Sequence, residues 1–240
     1  TVLAVALSSF HLYTAGFGLY NEIAHRAIHL TVVLGLCFLV FPRQRRLPGP
    51  WEWVSALLFV AFYGLVTWNL LAAVGSNASP LARGLFVAVM AIIALLSLPI
   101  DRWTGSSRRI PARDWLFAAL AAAFSLYLLV FFDELFVVRP GAHHPLDLMM
   151  GAIAIVMILE ATRRTMGLFL PLLAVVTVLY GLFGPYLPGG LAHRGYSISR
   201  IIVHLYKGTE GIYGIPVGVV ATFVFHFVLF GVMATRIGLG

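Results

Sequence analysis

Apolar residues fall into eight runs separated by short polar breaks: Thr1–Leu19, Ala27–Phe41, Trp51–Ala72, Gly84–Ile100, Trp115–Phe132, Leu146–Thr162, Gly167–Phe183 and Ile212–Thr235. Most approach the ~20 residues that a helix needs to cross a hydrocarbon core. Within lipid the backbone must satisfy its own hydrogen bonds, and the runs lack the alternation of a barrel strand, so each is predicted to be a helix. The sixth run differs. Only the twelve residues Leu148–Leu159 separate Asp147 from Glu160. That length fits a buried or re-entrant helix better than a span, unless Asp147 and Arg163 snorkel toward the interfaces.

The stretch Ser199–Lys207 has another pattern. Arg200, His204 and Lys207 recur at i, i+4 and i+7, and Ile201, Ile202 and Leu205 fall opposite. This periodicity predicts a short amphipathic helix in the interface plane, the alternative being the first turns of the following span. The connectors hold the chain breakers. Pro42–Pro50 has three prolines, Gly75–Pro80 reads Gly-Ser-Asn-Ala-Ser-Pro, Pro140–Pro145 reads Pro-Gly-Ala-His-His-Pro, and Gly184–Gly195 is rich in glycine.

Composition supports the same fold class, an all-α polytopic bundle of seven or eight spans plus one in-plane helix. The 240 residues are 61% hydrophobic and only 10% charged, against roughly a quarter charged in a soluble domain. The net charge of +7 does not point to nucleic acid, because the basic residues sit in short loops between apolar runs. With a cytoplasmic N-terminus and eight spans, Arg43, Arg45, Arg46, Arg102, Arg108, Arg109, Arg113, Arg163, Arg164 and Arg236 lie inside. Arg26, Arg83, Arg139, Arg194, Arg200 and Lys207 lie outside. This bias follows the positive-inside rule and implies contact with anionic lipid. If the sixth run does not cross, Arg163, Arg164 and Arg236 exchange sides with Arg194, Arg200 and Lys207, so counting charges cannot decide the point. The single cysteine, Cys37, excludes an intrachain disulfide and a cysteine-based zinc site. The chain opens without Met inside one apolar run and stops just after another, so it is expected to be part of a longer protein.

Several polar groups are candidates for chemistry. Glu22, His25 and His29 share a helix face and could bind a metal, although Glu22 can instead pair with Arg26 at i, i+4. His143, His144 and Asp147 lie in a Pro/Gly loop and would need another ligand. In Glu160-Ala-Thr-Arg-Arg-Thr-Met-Gly167 an acid sits near membrane depth beside Arg163 and Arg164. It is either a functional group or a helix-end ion pair that orients a connector. Glu210, Gly211 and Gly214, in Thr209–Pro216, mark either a broken helix of the kind that lines transporter sites or a plain interfacial elbow. Thr222 and His226 share a face of the last run. No Gly-rich phosphate loop, nucleophile elbow or His-Glu-x-x-His string is present, so no catalytic residue and no bound cofactor is expected.

Five strings then stand out in order: His25-Arg-Ala-Ile-His-Leu30, Leu159-Glu-Ala-Thr-Arg-Arg-Thr-Met-Gly167, Tyr180-Gly-Leu-Phe-Gly-Pro-Tyr-Leu-Pro-Gly189, Leu205-Tyr-Lys-Gly-Thr-Glu-Gly-Ile-Tyr-Gly-Ile-Pro216 and Ala221-Thr-Phe-Val-Phe-His-Phe-Val-Leu-Phe-Gly231. By these the chain, from Asp147 to Gly240 above all, resembles the fused membrane permease of TRAP transporters, in the branch paired with TAXI-type solute-binding proteins. The resemblance implies a small-subunit-like region over 1–145 and the beginning of a large transport domain over 146–240. It implies a bacterial or archaeal inner-membrane permease that imports organic-acid solutes. A periplasmic binding protein would deliver the solute, and a Na+ or H+ gradient would drive uptake. Ser199–Lys207 would be an arm helix bracing the moving part, and most substrate and ion residues would lie beyond Gly240. His226 departs from the apolar residue that the family more often has. Against this stand two other classes: a membrane-embedded metal-dependent enzyme, and a non-transporting scaffold or sensor.

Overall fold

The computed structural model describes residues 2–19, 21–40, 50–98, 110–140 and 142–238. The basic residues Arg43, Arg45, Arg46, Arg102, Arg108 and Arg109 fall outside these. The described residues form helices and turns without a strand. The helices are α1 (Val2–Phe17), α2 (Glu22–Val40), α3 (Pro50–Val74), α4 (Pro80–Ser97), α5 (Ala112–Val130), α6 (Pro145–Thr165), α7 (Phe169–Phe183), α8 (Ile198–Lys207), α9 (Ile215–Val219) and α10 (Phe225–Arg236). A π turn at Val220–Val224 joins α9 to α10, and a second, Glu134–Val138, follows α5.

Seven of the eight predicted runs appear as helical segments long and apolar enough to cross a membrane, the last being α9, the π turn and α10 taken together as Ile215–Arg236. α7 reaches that length with the turn Gly184–Tyr186 that continues it, as Phe169–Tyr186. The run left out is the first, α1, with 16 residues, not the sixth. α6 gains length because Pro145 and Thr165 extend it beyond both charged residues, to 21 residues. Its ends also bear on what charge counting left open. The C-terminal end of α6 meets the start of α5 through Arg164 and Asp114, and its N-terminal end meets the far part of α5 through Asp147 and Tyr127. α6 therefore runs antiparallel to α5 over the same thickness. A positive φ at Gly167 then turns the chain directly into α7.

α6 is the central helix. It packs against α2, α3, α4, α5, α7 and α8, and two thirds of its span is buried in protein. Around it, Phe38, Leu70, Ile93, Phe117, Phe124, Leu128 and Met157 are almost fully buried. The outward faces carry Leu57, Trp68, Leu85, Phe169, Phe227 and Phe230. Apolar surface on this scale suits lipid rather than water.

α8 is a separate helix, set off from α9 by the turns between Gly208 and Gly214, so Ser199–Lys207 is not the start of the last span. Ser197 caps it by accepting from the Arg200 amide. Ile198, Ile202 and Tyr206 face inward while Arg200 and His204 are exposed. Lys207 departs from the predicted polar face and is buried, because its ammonium donates hydrogen bonds to two loop carbonyls. α8 can lie close on α6 because Gly151 has no side chain. A Cβ there would stand 2.6 Å from Ile202 Cγ2 and 3.1 Å from Tyr206 Cβ. Small residues commonly mark close helix contacts in membranes.

Candidate functional site

The C-terminal end of α6 holds a buried charge cluster. Glu160 is fully buried. Its Oε1 accepts from Arg164 Nε at 2.9 Å and Arg163 Nη2 at 3.0 Å, and its Oε2 accepts from Arg163 Nε at 2.9 Å. Arg163 also donates to the Ser97 carbonyl at the end of α4 at 3.1 Å. Arg164 donates to Asp114 Oδ1 at 2.6 Å, and its guanidinium faces the rings of Phe117 and Phe38 at 4.7 and 5.1 Å. Arg113 Nε also lies 3.7 Å from Asp114 Oδ1, so two buried carboxylates meet three guanidiniums, each paired with at least one of them, and burial at this depth demands such pairing. The predicted i, i+4 pair exists, but it is one edge of a junction among α4, α5 and α6. Asp114 was not a sequence candidate. Its only signal was being an acid beside Arg113 at the edge of an arginine-rich loop.

The N-terminal end has a counterpart. Asp147 belongs to α6, not to a surface loop. It accepts from the His144 amide at 2.8 Å, while the His144 side chain accepts from Leu146, a reciprocal cap. The Tyr127 hydroxyl donates to its Oδ1 at 2.6 Å, and Arg139 to its Oδ2 at 3.3 Å. Arg139 reaches Glu134 as well. Lys207, at the end of α8, donates to the carbonyls of Arg139 and Ala142 at 3.1 and 3.0 Å. Burial lowers the Lys207 ammonium from its ordinary value, with Asp147 opposing and Arg139 adding to the shift. Lys207→Met is expected to remove this anchor and cost about 1.5–3 kcal/mol, read as a lower thermal midpoint of the purified protein.

The elbow after α8 lies at this same end. Ile212 N donates to Leu205 O at 2.7 Å, folding the chain back on α8. Gly211 and Gly214 are required by the closeness of that fold. A Cβ on Gly211 would lie 2.2 Å from Leu205 O, and one on Gly214 2.7 Å from Thr209 O. Glu210 is exposed at the turn. Arg26 of α2 holds the elbow by donating to the Tyr213 carbonyl at 3.1 Å, and it pairs with Glu22 at 2.8 Å. The predicted residues therefore divide. Glu160, Arg163 and Arg164 come together at one end of α6, and Glu210, Gly211 and Gly214 form a turn at the other.

The two proposed metal sets do not assemble. Glu22 is turned to Arg26, while His25 and His29 are buried toward α1. His144 and Asp147 are consumed in the cap. Among the described residues no group of three or more His, Cys, Asp or Glu side chains is placed to hold a metal ion.

These features define a multi-pass α-helical membrane protein with a buried central helix pinned at both ends by carboxylates. Compared with family models, curated proteins and solved structures, the chain matches none.

Proposed function

We propose that the chain is the membrane permease part of a binding-protein-dependent, ion-gradient-driven transporter of the TRAP type. It would act in a bacterial or archaeal inner membrane with a periplasmic TAXI-type binding protein, taking up organic-acid solutes. The observation that carries this reading is the sequence of elements α8, glycine elbow, α9, π turn, α10. A short amphipathic helix is locked to the buried α6, and a tight elbow then feeds a span whose regular hydrogen bonding is interrupted at Val220–Val224. Interrupted helices at membrane depth are where secondary transporters build their sites, and π turns recur at functional positions. The ordered strings from Leu159 to Gly231 support the same reading.

The test is solute uptake by liposomes containing the full-length protein and its cognate binding protein. Uptake is expected to need the binding protein and an imposed ion gradient, without ATP. Uptake that requires ATP hydrolysis and ignores ion gradients would overturn the proposal.

A further inference from the structure

The end of α6 that carries Asp147 already holds one cation. Lys207 is buried, and its Nζ donates to the carbonyl oxygens of Arg139 at 3.1 Å and Ala142 at 3.0 Å. These carbonyls belong to the segment between α5 and α6, whereas Lys207 is the last residue of α8. An ammonium has three donors and no acceptor. Convergent carbonyl oxygens hold a small cation in the same way, by replacing part of its hydration shell. Asp147 supplies the counter-charge. It too is buried, and it opposes the loss of the Lys207 proton that burial promotes.

Charge balance shows what Lys207 contributes. The charged side chains linked at this point are Asp147 and Glu134 against Arg139 and Lys207. Arg139 reaches both carboxylates, at 3.3 Å and 2.8 Å. The Tyr127 hydroxyl adds a hydrogen bond to Asp147 but no charge. With Lys207 the set is neutral. Without it, two carboxylates share one guanidinium beside two carbonyl oxygens that have lost their donor, and an unpaired buried acceptor is costly. That combination of spare negative charge and converging oxygens attracts a cation.

We infer that this end of α6 is a binding site for one small monovalent cation, and that the Lys207 ammonium is its built-in occupant. The ligands are the Arg139 and Ala142 carbonyls, with the charge of Asp147 beside them. The ligand class is ammonium, methylammonium and potassium, which bare carbonyl oxygens accept. A tethered cation makes the docking of α8 on α6 independent of dissolved salt. Gly208, the next residue, opens the elbow while its amide still bonds the His204 carbonyl, so filling the site also fixes where the elbow starts. None of this depends on the permease reading.

Two variants separate the site from the anchor. Lys207→Ala empties the site, and Lys207→Met fills the same path with an uncharged chain. Both are expected to lower the thermal midpoint of the full-length protein in a neutral detergent. Ammonium or methylammonium chloride at about 0.1 M should recover about half of the loss in Lys207→Ala, rising with concentration as one-site binding requires. Potassium chloride should act in the same direction. Tetramethylammonium chloride should recover none, because its methyl groups keep carbonyl oxygens from the charge. The unaltered protein and Lys207→Met should not respond, and adding Asp147→Asn to Lys207→Ala should abolish the recovery. Equal responses of all three proteins to ammonium, equal recovery by tetramethylammonium, or no recovery by any cation would overturn the site. Should Lys207→Ala fail to fold, magnetisation transfer from 15N-labelled Lys207 Nζ to 13C-labelled carbonyls of Arg139 and Ala142 tests the occupant in the unaltered protein. Transfer to both is expected, and an Nζ signal without it would overturn the assignment.

Discussion

Glu160→Ala is expected to cost about 3–5 kcal/mol of stability, the usual penalty for removing one partner of a buried charge pair. The carboxylate takes three donors from Arg163 and Arg164. Without it, Arg163 keeps only the Ser97 carbonyl, and Arg164 shares the one remaining carboxylate, Asp114, with Arg113. Glu160→Gln is expected to cost less than alanine, since one amide oxygen still accepts. A control separates this effect from ordinary surface pairing. Glu134 is half exposed in its pair with Arg139, and Glu134→Ala should cost below about 1 kcal/mol. Thermal melts of the three variants in one detergent measure the difference. Equal midpoints for Glu160→Ala and Glu134→Ala would show that the α6 cluster is not a buried junction.

Gly151→Leu is the second large effect. The side chain would enter the space already held by Ile202 and Tyr206, the inward face of α8. Overpacking of a fitted contact costs about 1–3 kcal/mol. Here the cheaper outcome is displacement of α8 as a body. Its other ties are the Tyr206 hydroxyl bond to the Phe124 carbonyl at 2.7 Å and the Lys207 anchor. Displacement would break them and loosen the elbow. The expected result is new protease sensitivity between Ser197 and Gly214, with the spans still protected by detergent or lipid. Gly151→Ala, which adds a single methyl group, should show the same effect in weaker form. An unchanged cleavage pattern in Gly151→Leu would mean that α8 does not rest on α6.

The elements were legible in the sequence because lipid imposes a simple rule, that a long apolar run must be a helix. Amphipathic spacing also separated α8 from the spans. Lys207 was placed on the wrong face because periodicity describes a helix in isolation. It cannot register the Arg139 and Ala142 carbonyls that the 139–142 loop brings to the ammonium. The sixth run was underestimated for a related reason. Asp147 and Glu160 looked like the limits of an apolar segment. Both are buried inside the helix, neutralised by Arg139, Arg163, Arg164 and Tyr127 and by backbone donors.

The candidate site was legible in part. Glu160 could be paired with Arg164 from spacing alone, since i, i+4 contacts are local. Asp114 and the Ser97 carbonyl could not be joined to them, because these contacts span 50 and 66 residues. The four histidines that meet between α1, α2 and α10 show the same limit more sharply. His25 and His29 drew attention as a possible metal face with Glu22, and His226 as a packed histidine beside Thr222. Nothing in their spacing places His11 within reach of all three.

The structural claim on which the functional reading rests is that α6 crosses the full membrane. Topology reporters fused after Ala142 and after Arg164, on either side of α6, test this directly. The account predicts that the two fusions report opposite sides of the membrane. Both fusions on the same side would show that α6 does not cross and would contradict the antiparallel pairing of α5 and α6.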